Sequence, residues 1–162
     1  KSKHGNIEKW MVAHGVEFAP RATALPFGDY MLEGSNIYID TKQDVQEVAG
    51  NIGRDHARFV RECDRARAEG YRLVILVEEH PEFNDRSKLY QWKSYVCRKC
   101  RRCNPFDRGS KCVKYRSKPM NGRTVARIIG TLEKEHGVRF EFCYKRDTAR
   151  RICEILGVPY DG

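Results

Sequence analysis

The stretch "GDYMLEGSNIYIDTK", residues 28–42, decides the fold, and it predicts a β-hairpin. Gly34 and Ser35 suit a two-residue turn, since glycine readily takes the first central position of a type II′ turn. In the register that this turn imposes, Asp29 lies directly opposite Asp40. Directly opposed residues in such a pair have Cβ atoms roughly 4.5–5.5 Å apart.

The hairpin places its charged residues on one face, because Lys42 follows Asp40 by two positions and side chains alternate along a strand. Two close carboxylates repel each other, and a hard divalent cation such as Mg²⁺ relieves that repulsion. A nearby lysine can stabilise charge on a phosphate or help to orient and deprotonate water. The alternative is a solvent-facing strand pair whose lysine neutralises two exposed acids. The opposite face packs on a core through apolar residues: Tyr30, Leu32, Ile37 and Ile39.

The chain length of 162 residues predicts a single domain, 1–162, with a basic insertion. The net charge is +9, yet residues 97–118 hold nine Lys or Arg and one acid, so that the rest of the chain is almost neutral. Such local positive charge favours an anionic partner, and DNA is the expected one. No apolar run is long enough to span a membrane and no secretory signal is evident. An intracellular location is therefore expected, cytoplasmic in a bacterium or phage-infected cell and nuclear in a eukaryote.

Hydrophobic periodicity predicts an α/β fold in which helices cover a mixed sheet. A helix ending at Gly15 precedes strands over residues 16–32 and 36–42. The next helix begins after Asp44, breaks near Gly53 and ends at Gly70. The apolar run over residues 71–79 is typical of a strand that is buried on both faces. A helix (122–137), a strand (138–143) and a closing helix (146–157) follow.

The hairpin motif resembles the PD-(D/E)xK nuclease signature, and most of all the XPF-type nuclease domain. "GDY" followed by "IDTKQ" matches that family's Gly-Asp, spacer and acid-x-Lys pattern. The helix and buried strand over residues 55–79 and the helix, strand and helix over residues 122–157 are similar to the elements of the family in order. The resemblance implies a restriction-endonuclease-like core and metal-dependent hydrolysis of DNA phosphodiesters.

Transferred position by position, the resemblance makes Asp29 and Asp40 ligands of Mg²⁺ or Mn²⁺. The Thr41 backbone carbonyl completes the protein ligands, and Lys42 is the catalytic lysine. Two supporting residues follow on the next helix: Gln43 and Glu47. Family members often pair, so a homodimer or a partner subunit is expected.

Two departures separate this chain from the family. The family's initial strand with an Asp-x-Arg-Glu motif is not found in the sequence. Gln46 also stands where the eukaryotic branch of the family has an acid. Both departures favour the alternative function, a DNA-binding module that keeps the nuclease fold without cutting.

The cysteine segment, which we define as residues 92–119, contains the spacing C-x2-C-x2-C-x8-C. Four thiolates bind Zn²⁺ tetrahedrally and can hold together a loop that has no core of its own. An iron–sulfur cluster uses the same ligands, and reduced thiols in a basic loop are the third possibility. The predicted ligands are Cys97, Cys100, Cys103 and Cys112. The predicted DNA contacts are Arg98, Lys99, Arg101, Arg102, Lys111 and Lys114, with Arg58 on the preceding helix.

The sequence thus predicts a Mg²⁺-dependent DNA endonuclease that acts in repair or recombination, and it leaves open whether the enzyme selects for DNA structure. The non-cleaving DNA-binding module is the alternative. A zinc-stabilised protein-interaction domain without a nucleic-acid role is the third interpretation.

Overall fold

The computed structural model describes residues 4–20 and 23–162, and its elements follow the predicted order from the first helix to the last. The helices are α1 Gly5–Ala13, α2 Val45–Ile52, α3 His56–Ala68, α4 Arg86–Leu89, α5 Tyr95–Cys100, α6 Gly122–His136 and α7 Thr148–Leu156. The strands are β1 Tyr30–Met31, β2 Ile37–Lys42, β3 Arg72–Glu78 and β4 Arg139–Cys143. A short 3-10 turn, Lys145–Asp147, leads into α7.

Within the described residues the strands form one mixed sheet in the order β1-β2-β3-β4. β1 runs antiparallel to β2, whereas β2, β3 and β4 are parallel. The carboxyl ends of the three parallel strands therefore meet at one edge of the sheet, where ligands bind in open α/β sheets.

β3 is buried on both faces, as its apolar run predicts. Leu73, Ile75 and Val77 pack in the core beneath α2, α3 and α6. Val74 and Leu76 pack in the second core beneath α1 and α7. Each fully buried side chain of this kind stabilises the fold by about 1.5–3 kcal/mol, so the strand that borders the hairpin is firmly held.

The two helices after the hairpin begin and end at the predicted residues. The Asp44 side chain caps α2 by accepting a hydrogen bond from the Glu47 backbone N–H at 2.8 Å. Such a cap stabilises a helix by about 1 kcal/mol. The helical pattern breaks at Gly53, and α3 ends just before Gly70.

The strand predicted over residues 16–32 is largely wrong, because only Tyr30–Met31 pairs with β2. The apolar residues that suggested the strand are buried in different places. Val16 packs in the core beneath α1 and α7, and Phe27 packs in the opposite core. Residues 21 and 22 of the predicted strand lie outside the described residues.

The turn of the hairpin is also displaced from its predicted position. Leu32 O accepts a hydrogen bond from Ser35 N at 2.9 Å, so Gly34 is the third residue of the turn. Its φ of 86° is the left-handed conformation that this position of a type II turn requires. The predicted register is nevertheless confirmed, since Tyr30 pairs with Ile39.

The face that carries Asp40 is covered, although the sequence placed the core only on the opposite face of the hairpin. Tyr38 lies on the same face and is buried beneath α2, α3 and α6, with Met31 packed beside it. The other face is covered by α1 and α7 as well. The side chains of Asp40 and Lys42 are only 16% and 15% exposed.

Among the described residues, none of the helices combines the length and apolar character that crossing a membrane requires.

Candidate active site

Gly28 lets the chain approach β2 closely enough to place Asp29 beside it. The φ of Gly28 is 57°, and a Cβ at this position would lie 2.6 Å from the carbonyl oxygen of Ile39. Only glycine accommodates both conditions without strain. Asp29 N then donates a hydrogen bond to Ile39 O at 2.7 Å, which extends the hairpin pairing by one residue.

The Asp29 carboxylate is oriented by the strand opposite. Its Oδ2 accepts hydrogen bonds from both the backbone N–H and the hydroxyl of Thr41, each at 3.0 Å. Thr41 itself is buried. The structure thus shows Thr41 holding Asp29 through its donors, whereas the predicted role of its carbonyl as a metal ligand stays a prediction.

Asp40 lies in an environment that disfavours its charge. Burial raises the pKa of Asp40 to about 6, even though the charge of Lys42 and its hydrogen bond lower it. The charge of Asp29 and a hydrogen bond with its side chain raise the pKa further. Two carboxyl groups therefore lie close together in a half-buried place, an arrangement that a cation stabilises.

Lys42 is held between acids at the end of β2. Its Nζ lies 2.8 Å from Oδ2 of Asp40 and 4.0 Å from Oε1 of Glu47. Burial acts to lower the pKa of Lys42. The pKa is nevertheless raised, because the hydrogen bond to Asp40 and the charges of three acids outweigh burial: Asp40, Glu47 and Asp29. The lysine is therefore a fixed cation beside both aspartates.

The two supporting candidates differ in position. Glu47 lies in the first turn of α2, near enough for its carboxylate to face Lys42. Gln43 is exposed between β2 and the cap of α2. The structure therefore brings Asp29, Asp40 and Lys42 together with Glu47 and leaves the role of Gln43 a prediction.

His4 and Tyr30 belong to the site, and sequence reasoning missed both. His4 Nδ1 lies 2.5 Å from Tyr30 Oη, and its Nε2 lies 4.0 Å from Oδ1 of Asp29. Burial, followed by the charge of Asp29, raises the pKa of the Tyr30 phenol. A histidine so far from the hairpin in sequence carries no local signal of this contact.

Glu79 is another residue whose place only the fold reveals. Its carboxylate accepts hydrogen bonds from Val45 N at 2.9 Å and from His80 N at 2.8 Å. It therefore joins the carboxyl end of β3 to the first turn of α2. A negative charge at a helix N-terminus is stabilising, so Glu79 helps to hold the helix that carries Glu47.

Gln46, one of the two departures from the pattern that the motif resembles, contacts the cysteine segment. Its Oε1 accepts a hydrogen bond from Tyr95 N at 2.9 Å. That N–H belongs to the first turn of α5, where a helix has no partner of its own for it. Gln46 thus connects the helix beside the active site to the cysteine segment.

The cysteine segment brings its four cysteines around one pocket. Cys97 and Cys100 lie one turn apart on α5, and Cys103 and Cys112 complete the lining. Within residues 4–20 and 23–162, however, no three His, Cys, Asp or Glu side chains are spaced to hold a metal ion. The donor sets fit metals by chemistry, two carboxylates for Mg²⁺ and four thiols for Zn²⁺.

The residues expected to contact DNA lie at the surface. Lys99 Nζ lies 4.8 Å from the centre of the Tyr95 ring, and Arg98 lines an open cleft together with Lys88 and Lys93. Arg58 is exposed on α3. The other predicted contacts are also exposed: Arg101, Arg102, Lys111 and Lys114.

Comparison with known proteins identifies the fold. The structure is similar to that of XPF from Aeropyrum pernix, with a TM-score of 0.53 and 20% sequence identity. The match covers 94% of this chain and 58% of that chain. No protein-family description matches the sequence, and no curated protein matches it. The chain therefore has an XPF-like fold, a mixed sheet flanked by helices, and it spans little more than half the length of its structural neighbour.

Proposed function

We propose that this chain is a metal-dependent endonuclease that hydrolyses phosphodiester bonds in DNA. The observation that carries the proposal is the position of Lys42 Nζ, 2.8 Å from Asp40 and beside Asp29 on an XPF-like fold. Two close carboxylates can bind a divalent cation, and a fixed lysine beside them can stabilise charge on a phosphate. The local excess of Lys and Arg in the cysteine segment supports DNA as the substrate.

In the proposed mechanism Asp29 and Asp40 would hold Mg²⁺ or Mn²⁺, with the Thr41 carbonyl as a further ligand. The metal would supply charge stabilisation at the phosphate and would lower the pKa of bound water. Thr41 fixes the orientation of Asp29 through two hydrogen bonds, so that the carboxylate is positioned before substrate binds.

Lys42 contributes its charge to the proposed reaction. Its ammonium group can donate hydrogen bonds to a phosphate oxygen or to the attacking water. Glu47 lies 4.0 Å from the ammonium group and supports its charged state. Gln43 is exposed at the same end of β2, and its supporting role stays a prediction.

The experiment is cleavage of labelled duplex, single-stranded and forked DNA in Mg²⁺, Mn²⁺ or EDTA. We expect cutting that needs metal and is lost in Asp40→Asn, and the preferred DNA then indicates a role in repair or recombination. The matched control is Asp64→Asn, an exposed aspartate on α3 that pairs with His136. Cutting that persists in EDTA, or that Asp40→Asn leaves unchanged, contradicts the proposal.

A non-cleaving DNA-binding module is the second candidate. It is favoured by Gln46, which accepts a hydrogen bond from the cysteine segment where the eukaryotic branch of the family has an acid. Binding of all three DNAs without cutting, in every metal, would establish this function instead. Pairing with a second copy or with a partner subunit stays a prediction, and sedimentation of the protein with and without DNA tests it.

A further inference from the structure

The four cysteines of the cysteine segment come to one pocket through specific features of the backbone. Cys97 and Cys100 share one side of α5 because they are three residues apart. Arg101 then takes a left-handed conformation, with a φ of 56°, which ends the helix and turns the chain back. Left-handed arginine is uncommon and costs free energy, so the turn toward Cys103 is a specific feature of this segment.

From this geometry we propose that Cys97, Cys100, Cys103 and Cys112 bind one Zn²⁺ ion through four thiolates. The ion has a structural role, separate from the carboxylate site on the hairpin.

The loop that returns the chain to Cys112 is held by its own polar groups. Phe106 N donates to the Asn104 side chain at 3.0 Å, and Gly109 N donates to the Asp107 side chain at 2.9 Å. Lys118 Nζ donates to the hydroxyl of Ser110 at 2.7 Å and also to the carbonyl of Asp107. These polar contacts fix the path between the third and fourth cysteines.

Backbone N–H groups are directed at the sulfur of Cys112. Lys114 N and Tyr115 N lie 3.4 Å and 3.2 Å from its Sγ. Such donors stabilise a thiolate more than a thiol, because the charged sulfur is the stronger acceptor. Hydrogen bonds of this kind orient metal ligands and tune their charge.

Charge around the pocket matches a tetrathiolate site. Four thiolates and one Zn²⁺ carry a net charge of −2, and cationic side chains line the same pocket: Arg101, Arg102, Lys114 and Lys118. All four cysteines line this one pocket. Thiolates gathered so closely repel one another, and a bound cation reverses that effect.

Apart from Trp92 at its start and Pro105, which are both buried, the segment buries few apolar side chains. Its apolar side chains Tyr95, Val113 and Tyr115 are 53%, 59% and 45% exposed. Since the described donors are not already spaced as a finished metal site, the thiols must close to about 2.3 Å from the ion. Metal binding and ordering of the segment are then one event, as in other small metal-stabilised units.

Metal analysis of the purified full chain is the first test. We expect about one zinc per chain, retained in Asp40→Asn and lost in Cys97→Ser and Cys112→Ser. The matched control is Cys63→Ala, a buried cysteine of α3 outside the pocket. Iron with acid-labile sulfide, zinc that is retained in Cys112→Ser, or zinc that is lost in Asp40→Asn would overturn the assignment.

A second test needs no variant, so it holds even where a cysteine substitution prevents folding. Replacement of the bound zinc by Co²⁺ in the wild-type chain should give the strong visible and thiolate-to-metal absorption of a tetrahedral four-sulfur site. Alkylation should modify four fewer thiols when zinc is bound than after chelation. Cobalt spectra of an oxygen-ligated site, or equal alkylation with and without zinc, would contradict the proposal. Neither readout depends on DNA cleavage, so the zinc site and the proposed nuclease activity are tested separately.

Discussion

Tyr95 N donates a hydrogen bond to Oε1 of Gln46 at 2.9 Å, and this contact joins α2 to the first turn of α5. Because α2 also carries Glu47, one helix contacts both the lysine of the hairpin and the cysteine segment. A change at Gln46 should therefore alter how the cysteine segment is held without touching the aspartates.

Gln46→Ala should loosen the start of α5. A hydrogen bond of this kind contributes about 0.5–1.5 kcal/mol, so hydrogen exchange of the amides of residues 95–98 should accelerate roughly 2- to 12-fold. Gln46→Glu keeps the acceptor oxygen and should exchange like the wild type. Equal exchange in Gln46→Ala and the wild type would show that the contact does not hold the helix.

Lys42→Met should abolish most cleavage while leaving DNA binding in place. Positioned groups that transfer or stabilise protons in a transition state contribute about 10²- to 10⁴-fold, so the single-turnover rate should fall within that range. Lys134→Met, at the exposed end of α6, is the control. A rate within a factor of two of the wild type would exclude Lys42 from the chemistry.

Stability should depend on pH through Asp40. Because burial raises its pKa from 3.8 to about 6, its contribution is fully present below about pH 4 and is lost as the pH rises through about 6. At about 1.4 kcal/mol per pKa unit, the loss is at most about 3 kcal/mol. Urea unfolding in EDTA between pH 4 and 7.5 should show this decline in the wild type.

The comparison for that titration is Asp40→Asn, which cannot ionise. Its free energy of unfolding should lack the decline between pH 4 and 6, whatever its absolute stability. Saturating Mg²⁺ should flatten the wild-type curve as well, since a bound cation favours the charged carboxylate. Parallel pH curves for wild type and variant in EDTA would disprove the raised pKa.

Gly28→Ala should destabilise the chain more than Gly34→Ala. Both glycines have positive φ, but a Cβ at Gly28 would meet backbone atoms of Ile39 at 2.6 Å, whereas nothing lies within 4 Å at Gly34. A left-handed alanine alone costs about 1–2 kcal/mol, and the close approach adds to this only at Gly28. Urea unfolding measures the difference, and equal losses would mean that the backbone moves to admit the methyl group.

Arg102→Ala should weaken DNA binding and reduce its dependence on salt. Each phosphate contact on duplex DNA contributes about 0.9 to the slope of log affinity against log salt concentration, so the slope should decrease by about that amount. The control is Lys134→Ala on α6. An unchanged slope would place Arg102 outside the DNA interface.

The elements that sequence predicted well are those with strong local signals. The helix α2 is predicted by its cap residue Asp44 and by the helical periodicity that follows. The strand β3 is predicted by its apolar run alone. The opposition of Asp29 and Asp40 also follows from sequence, because the hairpin keeps the register that was predicted even though its turn differs.

The failures come from long-range packing. Val16 and Phe27 lie on irregular backbone and are buried in opposite cores. Their apolar spacing suggested a long strand, of which the described residues form only Tyr30–Met31. The contact of His4 with Tyr30 depends on how α1 packs against the sheet, which no local pattern records. For the same reason the sequence did not show that the face bearing Asp40 is covered.

The chain on either side of the cysteine segment comes together next to the core. Gly122 N donates a hydrogen bond to Trp92 O at 2.8 Å, and Trp92 is buried in the core beneath α2, α3 and α6. The cysteine segment therefore departs from the connection between β3 and β4 and rejoins it at a neighbouring position. Since the entropy of closing a loop grows only slowly with its length, this excursion can be shortened, lengthened or exchanged while the sheet keeps its strand order. The DNA contacts proposed for this segment can therefore vary independently of the carboxylate site that we propose cleaves DNA.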